Sequence, residues 1–302
     1  MIRKTLIKIL SFISRFKRQF ITIHMRPMFA SDMHYVGAIQ HEDALCAIII
    51  QGPIWHENNF TLETVKLYRQ NYPSSTIILS TWDSEDTTGL KELEDDHFKI
   101  IKSAKPYCGP GNINLQILST KVAIDEAKRM SLKYILKTRS DERMYGIDSL
   151  RFMINVLKPF PVIGCEGQHE RIITTNMGTT KFRPYHHSDL FMFGEVSDMQ
   201  LYWSAELLTD KSLDYNKFLC EGYLFAEFLR STGWEYKDTM EDSMRAIGER
   251  CIVVDNESVD VYWPKYTSYR EYRIRNYNCP AFEMTFKTWL NEAYMPAVDK
   301  KP

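Results

Sequence analysis

The sequence lacks the glycine-rich motifs that mark several large classes of enzyme. No GxGxxG, no GxxxxGKS or GxxxxGKT and no GxSxG occurs in its 302 residues. Such motifs bring a backbone close to a phosphate or expose a nucleophile on a sharp turn. Their absence argues against dinucleotide oxidoreductases, P-loop phosphotransferases and α/β-hydrolases.

Cysteine is scarce and scattered along the chain. The six cysteines include no CxxC pair and have no histidine partner at zinc spacing. So few cysteines in so long a chain argue against a disulfide scaffold, and their spacing argues against a structural zinc site. We expect reduced cysteines in a cytosolic protein, with Cys46 and Cys165 packed beside apolar runs.

An excess of charge of one sign is also missing. The formal net charge is −1, and 44% of the residues are hydrophobic while 25% are charged. This composition is typical of a globular protein, and without a basic excess we expect no nucleic-acid partner. The length suffices for one large α/β domain or for two small ones.

No apolar run approaches the roughly 20 residues that a membrane-spanning helix needs. The first twenty residues are basic instead, with six Lys and Arg residues between Arg3 and Arg18. On a helix, five apolar side chains at spacings of three and four share one face: Leu6, Ile9, Ile13, Phe16 and Phe20. No small-residue cleavage site follows, as a secretory signal would require.

This pattern predicts that residues 1–25 form a basic amphipathic arm lying on an anionic membrane surface, followed by a linker over residues 26–43. Two other interpretations stay open. The helix could pack against the protein's own body, or it could bind a partner protein.

From Ala44 onwards, short apolar runs alternate with helical patterns. We predict strands at residues 47–50, 76–79, 98–101 and 134–136, with helices at 62–72 and 112–130. Strands that are apolar throughout and separated by helices predict a parallel sheet covered on both faces. Beyond it we predict a helix at 148–156, one or two strands within 162–175, a strand at 189–193, and helices at 198–208 and 215–229.

Polar residues follow three of these strands, at the edge where a parallel sheet binds ligands. They are Gln51, Gly52 and Pro53 after the first strand, Thr81 and Asp83 after the second, and Thr138 to Glu142 after the fourth. Asn112 lies at a helix N-terminus, whose partial positive charge favours a phosphate. Each of these residues alone could equally be part of a turn or a cap.

The stretch from Arg139 to Arg143 is the most informative. A carboxylate at the end of a buried strand is costly unless it is paired or binds a cation. Asp141 and Glu142 can offer oxygen ligands to Mg²⁺ or Mn²⁺, and Arg139 or Arg143 can hold phosphate oxygens. The alternative is an Arg–Asp ion pair on a surface loop.

Taken in order, six segments resemble the WavE-type lipopolysaccharide synthesis proteins. They are IIIQGPI (48–54), FTLETVKLY (60–68), ILSTW (78–82), NINLQILSTKVAIDEAK (112–128), YILKTRSDERMY (134–145) and SDLFMFG (188–194). The resemblance covers about residues 46–229. It implies a GT-A-like, mostly parallel sheet flanked by helices over residues 44–302, with nucleotide binding in about 44–145 and acceptor binding in about 146–302.

The resemblance further implies a glycosyltransferase that moves a sugar from a nucleotide sugar to a lipopolysaccharide or lipid-linked acceptor. Separately from the resemblance, the basic arm, the lack of a spanning run and the cysteine usage predict a cytoplasmic protein, peripheral on the inner face of the inner membrane. A sugar-phosphate transferase and a catalytically idle sugar- or nucleotide-binding subunit are the alternatives. The nucleotide sugar is expected at Gln51, Gly52, Pro53, Thr81, Asp83, Asn112, Arg139 and Asp141.

Enzymes of the GT-A kind carry a DxD motif after a core strand, which binds a metal and the diphosphate. The matching position here reads Ser140-Asp141-Glu142, which departs from that pattern and leaves metal dependence open. Inverting enzymes also place an acidic base near the start of a later helix. Glu221 is the first candidate for that base and Asp189 the second.

Overall fold

The computed structural model describes residues 2–18, 21, 24–34, 42–209, 219–264 and 283–299. Its strands are β1 (Cys46–Gln51), β2 (Thr76–Trp82), β3 (Phe98–Ser103), β4 (Tyr134–Arg139), β5 (Arg143–Met144), β6 (Ile172–Thr175), β7 (Met192–Glu195), β8 (Cys251–Val254) and β9 (Val261–Tyr262). Seven of them form one sheet in the order β3-β2-β1-β4-β7-β6-β8, while β5 and β9 pair in a small ribbon.

Helices flank this sheet. They are α1 (Ile2–Lys17), α2 (Phe60–Asn71), α3 (Thr88–Lys91), α4 (Ile113–Arg129), α5 (Ser149–Leu157), α6 (Val196–Tyr202), α7 (Cys220–Ser231), α8 (Met240–Arg250), α9 (Asn256–Val259), α10 (Phe286–Thr288) and α11 (Met295–Asp299), with a π-helix at Trp289–Tyr294. Helix α4 packs on β1 and β2, and α6 packs against α4 and α7.

The first half of the sheet is parallel. Strand β1 pairs in parallel with β2 and β4, and β2 pairs in parallel with β3. Every residue of β1 and β2 is buried, which explains why these strands read as continuous apolar runs and not as alternating ones. The expectation of a mostly parallel α/β sheet flanked by helices is confirmed.

The direction of the sheet reverses at β7. This strand is antiparallel to both β4 and β6, whereas β6 and β8 are parallel. Lys137 of β4 pairs with Met192, the first residue of β7. The chain entering β7 therefore lies at the same edge of the sheet as the end of β4.

Three predicted elements have different ends in the structure. The strand expected at 189–193 begins only at Met192, because the carbonyls of Ser188 and Phe191 accept hydrogen bonds from the Thr174 hydroxyl and leave the ladder. The helix expected at 198–208 is α6, which ends at Tyr202. Beyond it the amide of Asn114 binds both the N–H and the carbonyl of Leu208.

The third difference is at α7. The helix expected from residue 215 is described from Cys220 to Ser231, while residues 210–218 lie outside the described part of the chain. Between 162 and 175 there is one strand, β6.

The N-terminal helix α1 exists, as predicted. Its first turn carries no acidic side chain, its last turn carries Arg15 and Lys17, and Phe12 and Phe16 are exposed. None of the helices in the described ranges is both long and apolar enough to cross a bilayer. The segment expected as a linker is described over residues 26–34 and 42–43, and it contacts the body at Ala30, whose N–H donates to Glu63.

Candidate functional site

A cleft of about 1010 Å³ opens at the edge where β1, β2 and β4 end. One wall comes from these strand ends and from the start of α4, and the other from residues 178–190 and the start of α7. The side chains that matter below are Gln51, Gly52, Pro53, Trp82, Lys105, Asn112, Arg139, Arg183, His186, Asp189, Glu221 and Trp263.

The floor of the cleft is a rigid junction between two strand ends. The Ser140 N–H donates to the carbonyl of Gln51 at 2.9 Å, and the Ser140 hydroxyl donates to the carbonyl of Pro53 at 2.5 Å. Gly52 sits between them with φ of +121°, and a Cβ there would lie 2.9 Å from Ser140 Oγ. Glycine is therefore required by both the backbone conformation and the close approach.

Gln51 is held from the other side. Its Oε1 accepts a hydrogen bond of 2.9 Å from the Ser119 hydroxyl, which lies on α4. Because Gln51 is almost fully buried, this bond satisfies an oxygen that water cannot easily reach. The end of β1 and the body of α4 thus form one unit beneath the cleft.

Arg139 and Asp141 form a bidentate ion pair at the end of β4. The Arg139 Nε and Nη2 atoms lie 2.8 and 3.0 Å from the two carboxylate oxygens of Asp141. The guanidinium also lies 5.1 Å from the ring centre of Trp263. Arg139 lines the cleft whereas Asp141 does not, so Asp141 fixes the position of a cation that the cleft presents.

Two further charged side chains lie fully buried below this pair. Lys137 donates from Nζ to the main-chain oxygen of Asp189, and burial lowers the pKa of Lys137 to about 8. Burial raises the pKa of Glu142 to about 7, although Arg139 opposes this shift. One Glu142 oxygen accepts from the Thr138 hydroxyl at 3.3 Å.

Asp189 lies in the loop before β7 and is held against β4 by a hydrogen bond from Lys137. Its carbonyl is the acceptor of the Lys137 ammonium, and its carboxylate lines the cleft although the residue is 99% shielded from solvent (1% exposed). Among the described residues, its Oδ2 atom has no hydrogen-bond partner. A buried carboxylate oxygen without a donor is costly, which is typical of a group kept for a ligand.

Glu221 lies in the first turn of α7, on the same wall of the cleft as Asp189. Burial raises the pKa of Glu221 to about 7, and the charge of Asp189 adds to the increase. Its side chain nevertheless keeps 24% of its surface exposed, so the carboxylate can reach a molecule in the cleft. The Nε2 atom of His186 lies 3.8 Å from Glu221 Oε2.

His186 is shielded and faces this pair. Burial lowers the pKa of His186, and the nearby charge of Arg183 lowers it further. The imidazole is therefore neutral at pH 7, and its two nitrogens can donate one hydrogen bond and accept another without adding charge to the cleft. Arg183 is exposed at the mouth of the cleft.

The start of α4 supplies the remaining wall. Asn112 adopts a left-handed backbone with φ of +65° and precedes the 17-residue helix. Its side chain makes no capping hydrogen bond, and the first two N–H groups of α4, those of Ile113 and Asn114, donate to the carbonyls of Pro110 and Cys108. The start of α4 thus brings the partial positive charge of a helix N-terminus to the cleft. Lys105 lines the same wall and is exposed.

The structure brings most of the predicted site residues together. Gln51, Gly52, Pro53, Asn112, Arg139, Asp189 and Glu221 all line the cleft. Thr81 is fully buried, Asp83 is exposed on a turn, and Asp141 and Glu142 lie behind the lining; none of these four belongs to it.

Arg143, the alternative to Arg139 as a phosphate contact, lies away from the cleft. It is buried, and its guanidinium donates to the carbonyls of Met28 and Phe60 and to two hydroxyls. This removes Arg143 from the phosphate-binding candidates. Sequence reasoning did not identify Lys105, Arg183, His186 or Trp263 as site residues, because single charged or aromatic residues in loops carry no motif.

A metal site at Asp141 and Glu142 stays a prediction. Both oxygens of Asp141 bind Arg139, and Glu142 has no surface in the cleft, so the two carboxylates as placed do not offer a free oxygen pair there. In the described ranges, the cluster with metal-ligand geometry is His169, Glu195 and Asp198. Glu195 pairs with Tyr134 at the start of β4, at the sheet edge opposite the cleft.

That cluster also has a structural explanation. Both oxygens of the buried Asp198 accept main-chain hydrogen bonds, from the N–H groups of His169 and Glu170 at 2.9 and 2.8 Å. His169 Nδ1 lies 2.9 Å from Glu195 Oε2. These contacts tie the chain before β6 to the start of α6.

Comparison with known proteins places this cleft in context. None of the curated proteins matches the chain. Among solved structures, one that matches is a glycosyltransferase involved in the glycosylation of the major capsid of PBCV-1, with 13% identity and a TM-score of 0.37, over 70% of this chain and 82% of that one. The sequence profile described as WavE lipopolysaccharide synthesis matches residues 46–228, more than half of the chain and most of the cleft. The chain therefore belongs to the WavE lipopolysaccharide synthesis family.

Proposed function

We propose that this protein is a glycosyltransferase that moves a sugar from a nucleotide-sugar donor to a lipopolysaccharide or lipid-linked glycan acceptor. The observation that carries the proposal is the division of the cleft. Arg139, Lys105 and a helix N-terminus lie on the wall formed by β1, β4 and α4, and the carboxylates of Asp189 and Glu221 lie on the other, which also carries the exposed Arg183. A sugar nucleotide that spans the cleft would have its diphosphate at the first wall and its sugar near the second.

The first wall suits a leaving diphosphate. As the bond between the sugar carbon and the diphosphate oxygen breaks, negative charge grows on that oxygen. Arg139, held in place by Asp141, and Lys105 would provide positive charge there, and the N-terminus of α4 would add its partial positive charge. Fixed charges of this kind stabilise the transition state without reorganising during the reaction.

The second wall suits activation of the acceptor. Glu221 would take the proton from an acceptor hydroxyl while that oxygen bonds to the sugar carbon, and the electron pair of the broken bond leaves with the diphosphate. A base with a pKa of about 7 is half-ionised at neutral pH and is a stronger proton acceptor than an ordinary carboxylate. The charge of Asp189 would stabilise positive charge that develops on the sugar ring.

A divalent cation would be an alternative to Arg139 and Lys105 as the source of positive charge at the diphosphate. Mg²⁺ or Mn²⁺, held by Asp141 and Glu142, would act as a Lewis acid on the diphosphate. Asp141 would have to release Arg139 to serve as a ligand. For this reason Arg139 and Lys105 carry the charge stabilisation described above, and no step depends on a metal.

The arm suits an acceptor that is built on a membrane lipid. Helix α1 combines basic side chains with exposed Phe12 and Phe16, a combination that favours an anionic lipid surface. Docking there would confine enzyme and acceptor to one surface, on the cytoplasmic face of the inner membrane.

A panel of nucleotide sugars tests the donor site. A specific donor at 100 times its Kd should stabilise the folded protein by about 2.7 kcal/mol, measured as a thermal shift with and without Mn²⁺. Lys105→Gln should reduce that shift, whereas Lys91→Gln, an exposed lysine of α3 outside the cleft, should not. The absence of any shift across the panel would contradict the proposal.

The products separate the related activities. Release of a nucleoside diphosphate with the acceptor present indicates sugar transfer, and release of a nucleoside monophosphate indicates sugar-phosphate transfer. Binding without release of either product, even over long incubation, would indicate a non-catalytic binding subunit.

A further inference from the structure

Three large apolar side chains are exposed within five residues, where the arm meets the linker. Met25 is 68% exposed, Met28 52% and Phe29 39%. We call Met25, Met28 and Phe29 the Met-Phe patch. Isolated exposed apolar residues are ordinary, but a group this close in sequence, adjoining an amphipathic helix, indicates an interaction surface.

The backbone that carries the patch is fixed to the body of the protein. The buried guanidinium of Arg143 donates from Nη1 to the carbonyl of Met28 at 2.7 Å. The Tyr145 hydroxyl donates to the carbonyl of Pro27 at 2.7 Å, and the Ala30 N–H donates to Glu63 Oε2 at 2.8 Å. One buried and two partly buried hydrogen bonds therefore hold the backbone of the patch against the body, while its side chains remain exposed.

The patch is also connected to the cleft. Arg26, between Met25 and Pro27, forms an ion pair with Asp260 and lies 5.6 Å from the ring centre of Tyr262. Tyr262 ends β9, and the next residue is Trp263, which lines the cleft and contacts Arg139. Whatever surface the patch touches is thus brought close to one side of the cleft.

The charge of helix α1, which precedes the patch, indicates which kind of surface binds the patch. Residues 2–18 carry six Lys and Arg residues and no Asp or Glu. A surface that attracts so many cations is anionic, and one that also accepts exposed phenylalanine and methionine side chains is a lipid bilayer. A protein partner would need acidic side chains around an apolar groove, which is a narrower requirement.

From these observations we infer that the Met-Phe patch inserts into an anionic lipid surface. It forms a second contact in addition to that of helix α1, and it holds the cleft beside that surface. The inference rests on the proposed function, which requires an acceptor anchored in the same membrane. The basic residues of helix α1 attract the protein to the membrane, and the patch orients the cleft relative to the membrane surface.

The test uses the full chain and vesicles of phosphatidylglycerol and phosphatidylcholine. The triple variant Met25→Ser, Met28→Ser and Phe29→Ser should bind about tenfold more weakly in flotation, because three apolar side chains no longer insert. The matched control exchanges the same residue types, Phe152→Ser, Met240→Ser and Met295→Ser, which are exposed on α5, α8 and α11. The control should bind like the wild type.

Salt separates the two contacts. High salt screens the attraction of the basic helix but not the insertion of apolar side chains, so the deficit of the patch variant should persist at high salt. The single variant Met25→Ser, at the most exposed position, adds no charge and should show part of the same deficit at high salt, and it guards against a folding defect of the triple variant.

Activity distinguishes failure of this inference from failure of the proposed function. The patch variant should transfer sugar to a water-soluble acceptor analogue at the wild-type rate and lose activity only on vesicle-embedded acceptor. Equal flotation of patch variant, control and wild type would overturn the inference, and would leave a protein partner as the occupant. Absence of transfer to any acceptor by the wild type would instead contradict the proposed function.

Discussion

Asp189 and Glu221 are both carboxylates in one cleft, but their surroundings differ. Asp189 is fixed through its carbonyl by the buried ammonium of Lys137. Glu221 is partly exposed, and its pKa is raised to about 7 by burial and then by Asp189. Pairs of acids whose environments differ in this way are typical of sites that transfer protons.

Glu221→Gln should lower the rate of transfer by roughly 10²-fold or more, because the amide keeps the shape of the side chain but cannot accept the proton. Donor affinity should persist, since Glu221 lies on the wall opposite Arg139 and Lys105. The measurement is steady-state transfer together with the thermal shift caused by the donor. Glu227→Gln, on the same helix but outside the cleft, should leave both unchanged.

The pH profile carries a further check on the same residue. A base must be ionised, so the wild-type rate should rise through a midpoint near pH 7. In Asp189→Asn, loss of a neighbouring negative charge should lower the pKa of Glu221 and move that midpoint to lower pH. A profile without a step in this range would contradict Glu221 as the base. A silent Glu221→Gln beside an inactive Asp189→Asn would transfer the role to Asp189.

Some of these roles were readable from the sequence and others were not. Arg139 and Asp141 could be predicted as a charged pair at a strand end, because a short-range pattern placed them there. The burial of Lys137 and the free oxygen of Asp189 could not be predicted from the sequence. Both depend on β7, which is far from β4 in the sequence and pairs with it in the antiparallel direction.

At the level of elements, the junction of β1 and β4 decides how firmly the cleft is built. Ser140, at the start of the loop after β4, binds the end of β1 twice: its N–H donates to the carbonyl of Gln51 and its hydroxyl to the carbonyl of Pro53. The Thr61 hydroxyl, close to the start of α2, donates to the carbonyl of Ser140 at 2.9 Å and extends the same network. These hydrogen bonds join β1, the end of β4 and α2 beneath the wall that we propose for the diphosphate.

Gly52→Ala should destabilise the protein by about 1–3 kcal/mol, because alanine disfavours a φ of +121° and its Cβ would lie against Ser140 Oγ. Urea denaturation measures the loss. The matched control is Gly89→Ala in α3, where a Cβ meets nothing closer than Leu62 at 3.8 Å. The control should be neutral or slightly stabilising; equal effects of the two variants would show that the junction is not strained.

The same scale shows which parts of the fold sequence can predict. Strands β1 to β4 were predicted because each is an apolar run between helices. Strands β5 and β9 were not predicted, since two residues hold too little pattern to separate a strand from a loop. Strand β8 was missed although its four apolar residues resemble the run of β1. The orientation of β7 also escaped prediction, because alternation identifies a strand but not the direction of its neighbour.

For the whole molecule, the arm and the catalytic body should separate in function. Deletion of residues 1–20 should leave a soluble protein that still binds the donor nucleotide, because the cleft lies within residues 51–283. It should lose binding to anionic vesicles, since each Lys or Arg near the surface contributes about 1 kcal/mol at most. Flotation at low salt measures this loss.

Equal flotation of the truncated and full-length proteins would show that α1 is a structural helix. An unfolded truncated protein would lead to the same conclusion, because a helix that the body needs for folding packs against it. Circular dichroism of the truncated protein separates these two outcomes.

The reversal of direction between β4 and β7 has a consequence for genetics. The hydrogen bonds of this strand pair, in which Leu136 faces Phe193 and Ile135 faces Gly194, help to join the two walls of the cleft. A slight tilt there changes the separation of Asp189 and Arg139 while the rest of the fold persists. Random mutagenesis scored by loss of product should therefore return buried apolar positions of these two strands alongside the polar ones, and such alleles should be suppressed by compensating changes in the facing strand.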